Sequence, residues 1–206
     1  MKPTLRISFL FAFACVALAT FSNSAQAQKI DVAFGASTTL APSASSCSGD
    51  CQIPQSLGGG TFIGFTGDVT FWHNLGAGAE FNWRASQGSG AYLADYGVNY
   101  RPLFYNFNVV YSPKLASHTY LELVGGIGAM STHLYYCDSC GISGGSSLVA
   151  SSEHFDADFG GGIKFYPKGG FFIRPEARVY LINNNTNFAG SYAARVGASV
   201  GYTFGK

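Results

Sequence analysis

The stretch FFIRPEARVYL, from Phe171 to Leu181, decides the fold because charged and apolar residues alternate along it. Arg174, Glu176 and Arg178 share one parity, and the positions between them are apolar. Side chains along a β-strand point alternately to opposite faces of the sheet. The stretch is therefore predicted to form a strand with one apolar face and one face that carries three charges.

Residues 1–27 have the pattern of a secretory signal peptide. A short basic segment precedes an apolar run at residues 7–21, and Ala-Gln-Ala at 25–27 matches the small-residue cleavage pattern. We expect cleavage there, which leaves residues 28–206 as one mature domain. The alternative is a lipoprotein acylated at Cys15, but this cysteine lies inside the apolar run, whereas a processing site should follow it.

The composition limits the class of protein. Charged residues make up 11% of the chain, aromatic residues 16%, and there are 27 glycines, with a net charge of +1 at pH 7. Nothing in this balance indicates a nucleic-acid-binding surface. After the signal pattern, no apolar run is long enough for a membrane helix. These features predict either a soluble all-β protein or an outer-membrane barrel.

The arrangement of strands and connections favours the barrel. Eight long segments have strand patterns, at 29–41, 58–72, 75–86, 97–111, 119–136, 152–166, 171–183 and 191–205. Short turns at 73–74, 112–118 and 167–170 alternate with longer loops at 42–57, 87–96, 137–151 and 184–190. This alternation is typical of bacterial membrane barrels. The prediction is an all-β, eight-stranded antiparallel up-and-down transmembrane β-barrel, with external loops and periplasmic termini.

Charged residues of the predicted strands fall on one parity. Twelve share it: Asp31, Asp68, Glu80, Arg84, Glu122, Asp156, Asp158, Lys164, Arg174, Glu176, Arg178 and Arg195. Of the other charged residues, those in loops, at strand edges or at the termini are set aside, and Arg101 takes the apolar parity. The interior of an eight-stranded barrel is filled by side chains, and pairing makes buried ions tolerable. We predict a lumenal ion-pair network in which the three charges of the opening stretch pair with neighbouring strands.

A soluble sheet whose polar face meets water would show the same parity. Two features favour a membrane barrel instead. The polar faces are rich in glycine, which suits a crowded lumen. Aromatic residues gather at strand ends, as interfacial girdles do; they are Trp72, Tyr111, Phe171, Tyr202 and Phe204.

Together with the ending RVGASVGYTFGK, these patterns resemble the small outer-membrane β-barrel proteins of the OmpA/OmpX type. The resemblance implies a location in the outer membrane and a monomer that contacts outer-membrane lipid and lipopolysaccharide. It also implies a C-terminal strand that the barrel-assembly machinery recognises. Tyr202 and Phe204 fit such a strand, although Gly205 and Lys206 follow them. The role expected is structural or one of surface interaction, such as adhesion or envelope integrity, with an extracellular partner bound through the loops.

Two alternative functions compete with this expectation: a lipid-modifying enzyme, and a soluble β-barrel that binds an apolar ligand. An enzyme needs a nucleophile, a base and an orienting acid within hydrogen-bond reach. The candidate residues are His73, His118, His133 and His154, with Ser131, Ser152 and Glu153 beside the third long loop. The His-x-Ser pattern of lipid A deacylases is absent, so no catalytic residues and no cofactor are expected.

Asp156 and Asp158 are also candidates for a divalent-cation site that includes lipopolysaccharide phosphates. The alternative, which we favour, is lumenal pairing with Arg174, Arg178 or Arg195. No metal site is therefore predicted.

Four cysteines lie in two of the long loops. Cys47 and Cys51 belong to the first loop, and Cys137 and Cys140 to the third. An exported chain meets an oxidising compartment, so disulfides are expected, with local pairs favoured over cross-loop pairs. A zinc site would require the two loops to meet, and a thioredoxin-like role would require a βαβ context that is missing.

Overall fold

The computed structural model describes residues 28–42, 56–89, 98–137, 146–185 and 188–205. Ten β-strands are present in this part of the chain. They are β1 (Lys29–Leu40), β2 (Thr61–Trp72), β3 (Leu75–Arg84), β4 (Gly88–Ser89), β5 (Val98–Tyr111), β6 (Lys114–Ala116), β7 (Thr119–Cys137), β8 (Ser146–Lys168), β9 (Phe171–Ile182) and β10 (Tyr192–Phe204). The short strands β4 and β6 pair only at the ends of β5 and β7.

The eight long strands close into a ring. Each pairs antiparallel with its neighbour in chain order, β5 pairs with β7, and β1 pairs with β10 to complete the circle. The predicted all-β antiparallel barrel is thus confirmed, with two short strands added at its ends. Strands of 10 to 23 residues are long enough to cross a membrane, which takes about 9–11 tilted residues.

The connection between β7 and β8 differs from the prediction. The third long loop was expected at residues 137–151, but β7 continues to Cys137 and β8 begins at Ser146. The two strands therefore extend as a ladder well into that segment. The segment was predicted as a loop because its sequence is rich in serine.

The shortest turn joins β2 to β3 through two residues only. His73 and Asn74 have φ angles of 43° and 69°, as both central residues of a type I′ hairpin turn require. Asparagine adopts this conformation readily, and the turn twist matches that of the flanking strands. The predicted two-residue turn is confirmed.

The outer face of the barrel carries the apolar side chains. Phe107 is 72% exposed, Ile127 58% and Phe155 54%. The five aromatic residues predicted for a girdle are all exposed at the end where the short turns lie: Trp72, Tyr111, Phe171, Tyr202 and Phe204. In a soluble barrel these faces would point into the core, so their exposure argues against the soluble alternative.

No helix in the described part of the chain is long and apolar enough to cross a membrane. The predicted signal peptide at residues 1–27 lies outside the described residues. So do Cys47, Cys51 and Cys140 and the side chain of Cys137, and the disulfide expectation stays a prediction.

Candidate functional site

The inward-facing side chains fill the barrel in layers, and two of these layers are built from ion pairs. The layer nearer the short turns, here called the turn-side ion cluster, is centred on Lys164 and Arg174. Lys164 Nζ lies 2.5 Å from Asp31 Oδ2 and also contacts Glu122. Arg174 Nη1 lies 2.5 Å from Glu122 Oε1, and its Nε lies 2.9 Å from Glu176 Oε2. One carboxylate, Glu122, therefore bridges the two cations.

Neutral groups satisfy further donors of Arg174. Its Nη2 donates to Thr66 Oγ1 at 2.9 Å, and its Nε donates to Ser199 Oγ at 3.0 Å. Arg174 is completely buried. A buried guanidinium needs such a full set of acceptors because an unmet donor in a low-dielectric interior is costly.

The second layer, the loop-side ion cluster, is centred on Glu80 of β3. Arg178 Nη2 lies 3.0 Å from Glu80 Oε2, and Arg195 Nη2 lies 2.8 Å from the same atom. The Tyr180 hydroxyl donates to Glu80 Oε1 at 2.7 Å. Arg178 also pairs with Asp158 at 3.2 Å. Glu176, 3.5 Å from Arg195, connects this layer to the turn-side ion cluster.

The partners of the opening stretch differ partly from those expected. We predicted pairing along the sheet with the neighbouring strands, and Asp158 on β8 and Arg195 on β10 do contact Arg178 and Glu176. The shortest ion pairs of Arg174 and Arg178, however, each reach a strand that does not adjoin β9 in the sheet. They reach Glu122 on β7 and Glu80 on β3. The parity of a residue indicates which face it occupies but not how far its side chain reaches across a narrow barrel.

Two of the twelve predicted lumenal residues lie outside the ion pairs seen in the described residues. The Arg84 guanidinium lies over the Tyr100 ring, 5.2 Å from its centroid. Asp156 accepts a hydrogen bond from the Asn106 amide. Arg101, which has outward parity, lies 5.8 Å from the centroid of the Tyr135 ring.

An apolar plug closes the lumen at the loop end, which the sequence reasoning missed. Its members are buried and contact one another: Leu57, Phe62, Tyr100, Phe104, Met130, Tyr180, Ile182, Phe188 and Ala193. The Phe104 and Tyr180 rings lie 4.6 Å apart. Phe62, Phe104 and Met130 lie on the lumenal parity near the loop ends of their strands. These apolar residues at lumenal positions are the sequence signal that would have predicted the plug.

Little free space remains among these layers. A cavity of 10 Å³ lies beside Arg174, Glu176 and Arg195, which is room for one water molecule at most. Gly162 shows the same crowding, because a Cβ there would lie 2.9 Å from Arg174 Cγ. In the described residues, no group of three or more His, Cys, Asp or Glu side chains is arranged to hold a metal ion. Side chains therefore occupy most of the space between the two ion clusters.

The histidines considered for catalysis lie in different places. His73 and His118 lie at the turn end. On the outward parity of β7 and β8, Ser131 faces Glu153 and His133 faces Ser151 across the ladder. The His133 ring lies 6.4 Å from the Tyr135 ring, and the Tyr105 hydroxyl hydrogen-bonds to Glu153. The ladder thus places Ser131, His133 and Glu153 on one outward parity at the loop end.

With the closed barrel, apolar outside and filled lumen established, comparison with known proteins is decisive. The model of the outer membrane protein beta-barrel domain matches residues 12–204. The chain belongs to the outer membrane β-barrel protein family. Membership places the protein in the outer membrane and confirms the resemblance to small OmpA-type barrels. A search of curated proteins by sequence finds no match.

Solved structures of small outer-membrane barrels share the fold at low identity. A major outer membrane protein from Thermus thermophilus has a TM-score of 0.60 at 10% identity, covering 87% of this chain and 100% of its own. Neisserial surface protein A has a TM-score of 0.53 at 9% identity, with coverages of 86% and 97%. Ail of Yersinia pestis, solved with the heparin analogue sucrose octasulfate, has a TM-score of 0.51 at 13% identity, with coverages of 86% and 99%. Similarity at this level shows the fold alone.

Proposed function

We propose that this protein is a sealed outer-membrane barrel that serves envelope integrity or surface contact through its loops, rather than a pore or an enzyme. One observation supports this proposal above the others. The described lumen is filled by two ion clusters and an apolar plug from its middle to its loop end, whereas the outer face is apolar and exposed. A barrel that passes no solute offers its partners only its surfaces.

The partners of such a barrel follow from those surfaces. The apolar outer face meets outer-membrane lipid and lipopolysaccharide, and the C-terminal strand β10 meets the barrel-assembly machinery. In the proposed orientation the short turns face the periplasm and the long loops face outward. A monomer suffices for this role because the eight long strands close their own ring.

A loop-replacement experiment separates the two roles. Cells lacking the protein are complemented with the wild type or with a variant in which residues 43–55 and 138–145 are replaced by Gly/Ser segments of equal length. If the barrel itself supports envelope integrity, both versions restore detergent resistance. If the loops make surface contact, only the wild type restores adherence. Deletion without effect on either property would contradict the proposal, provided that the wild type is present in the outer membrane.

The arrangement on β7 and β8 supports a second candidate, a lipid-modifying enzyme. Ser131, His133 and Glu153 share the outward parity at the loop end, and the register places Ser131 opposite Glu153. The test is mass spectrometry of outer-membrane lipids from cells with the wild type, Ser131→Ala or Ser151→Ala. The sealed-barrel proposal expects identical lipid spectra. A modification lost in Ser131→Ala and retained in Ser151→Ala would establish the enzyme.

A further inference from the structure

The turn end of the lumen contains a cavity that the packing described above leaves open. Its volume is 430 Å³, which lies within the range of about 300–1,000 Å³ found for small-molecule sites. Lys29, Tyr120, Tyr166 and Thr203 line it from four different strands, and His118 of the turn before β7 also lines it. We call this cavity the turn-end vestibule.

Aromatic packing separates the turn-end vestibule from the ion clusters. The Tyr166 ring lies 5.6 Å from the ring of Phe172, which is completely buried and lies against the Lys164 ammonium. The Tyr120 and Tyr166 rings meet edge to face at 5.3 Å. Aromatic rings therefore lie between the vestibule and the Lys164 ammonium of the turn-side ion cluster.

The polar groups of the vestibule favour an anion. The Lys29 ammonium lies 5.3 Å from the Tyr120 ring centroid, and no carboxylate of the described residues forms an ion pair with it. The nearest acid along its strand, Asp31, is already paired with Lys164. Tyr166 and Thr203 share a hydrogen bond of 2.8 Å, so one of these two hydroxyls still has its proton free to donate.

The charges around the vestibule have the same sign. In the described part of the chain, the turn end carries Lys29, Lys114 and Lys168, and no acid lies in the connecting turns. The three lysines take part in no ion pair among these residues, in contrast to Lys164 in the lumen. This unbalanced positive charge raises the local concentration of anions at the cavity mouth.

The position of the vestibule along the barrel axis indicates which class of anion it binds. The exposed aromatic girdle of Trp72, Tyr111 and Phe171 lies at the same end, and such girdles mark the level of lipid headgroups. Phosphate is the anionic group that lipids present there. We propose that the turn-end vestibule binds a phosphate group, carried by an anionic lipid headgroup or by a small phosphate ester, with Lys29 as its cation and the free hydroxyl proton of the Tyr166–Thr203 pair as its hydrogen-bond donor.

The test uses the folded wild-type protein in a sugar-headgroup detergent, which contains no phosphate, titrated calorimetrically with glycerol phosphate. Lys29→Gln is expected to weaken binding about tenfold or more, since it removes a charge-assisted hydrogen bond. Thr203→Val is expected to weaken it less. Lys114→Gln is the matched control because it removes the same charge from the same end outside the cavity, and we expect a change of less than about twofold.

Two results would overturn the proposal. One is the absence of binding at low salt in wild-type protein whose heat-modifiable gel migration shows that it is folded. The other is an equal loss in Lys29→Gln and Lys114→Gln, which would show diffuse attraction to the turn end instead of a site.

A second arm distinguishes the two sources of phosphate. The same titration is made in nanodiscs, where both ends of the barrel meet water. If a lipid headgroup occupies the vestibule, glycerol phosphate binds in phosphatidylcholine discs and is excluded in phosphatidylglycerol discs. Equal binding in both discs assigns the site to a small phosphate ester. Binding in neither kind of disc would again overturn the proposal.

Discussion

Glu80 and Phe104 lie on neighbouring strands and both point into the lumen, but their surroundings impose different requirements. Glu80 is the shared acceptor of Arg178 and Arg195, so its charge has specific partners. Phe104 packs in the apolar plug, where any side chain of similar volume and hydrophobicity keeps most of the contacts. Tyr180 joins the two regions, since its ring contacts Phe104 and its hydroxyl donates to Glu80. The ion clusters thus require specific charged partners on particular strands, whereas the apolar plug requires only apolar side chains of suitable volume.

The largest effect is expected from Glu80→Gln, which keeps the shape of the side chain and removes its charge. Two buried guanidinium groups then lose their shared counter-ion. Breaking a buried pair from one side costs about 3–5 kcal/mol of unfolding free energy. Reversible urea unfolding in lipid vesicles, followed by the fluorescence of Trp72 and Trp83, measures this cost. Glu153→Gln on the outer face is the control and should change the unfolding free energy little. Equal effects of the two variants would show that the charge of Glu80 stabilises the barrel no more than an exposed charge does.

A somewhat smaller effect is expected from Phe107→Arg, which tests the face opposite the lumen. Phe107 is 72% exposed on the outer side of β5. An arginine that faces lipid near the bilayer midplane costs about 2–4 kcal/mol. The same unfolding assay applies, with Phe107→Leu as the apolar control. If Phe107→Arg unfolds like the wild type, this face does not contact lipid.

A smaller effect is expected from Phe104→Leu within the apolar plug. The substitution keeps an apolar side chain and most of its volume, so we expect a loss of about 1–1.5 kcal/mol. This variant and Glu80→Gln form a direct pair, since both are conservative in shape. A Phe104→Leu cost equal to or above that of Glu80→Gln would contradict the contrast between the two regions.

The smallest effect is expected from salt. Lys164, Arg174, Glu122 and Glu80 are 3% exposed or less, and buried pairs are screened much less than surface pairs. Raising the salt concentration to about 1 M should therefore leave the difference in unfolding free energy between wild type and Glu80→Gln unchanged within about 0.5 kcal/mol. A difference that collapses in high salt would mean that water reaches the ion clusters.

The strand pattern and the parity of charges were sufficient to predict the barrel and the face on which its ions lie. The alternation along Phe171–Leu181 predicts one apolar and one charged face of the strand. The order of short and long connections predicts an up-and-down topology. The pairing of Arg174 with Glu122 could not be predicted because their strands do not adjoin in the sheet, and contact across the lumen depends on tilt and height. The apolar plug was missed for another reason. Charges mark the lumenal parity, but Phe62, Phe104 and Met130 lie on that parity without carrying a charge.

The central claim is that the side chains of the lumen close the barrel, and conductance tests it most directly. Purified, refolded protein is inserted into planar lipid bilayers, and the current is recorded under an applied voltage, with a known porin as the positive control for insertion and detection. The filled lumen predicts insertion, verified by heat-modifiable migration of protein recovered from the same lipid, without stable conductance steps. Reproducible steps of constant size from the wild-type protein would show an open path through the barrel and would contradict the account.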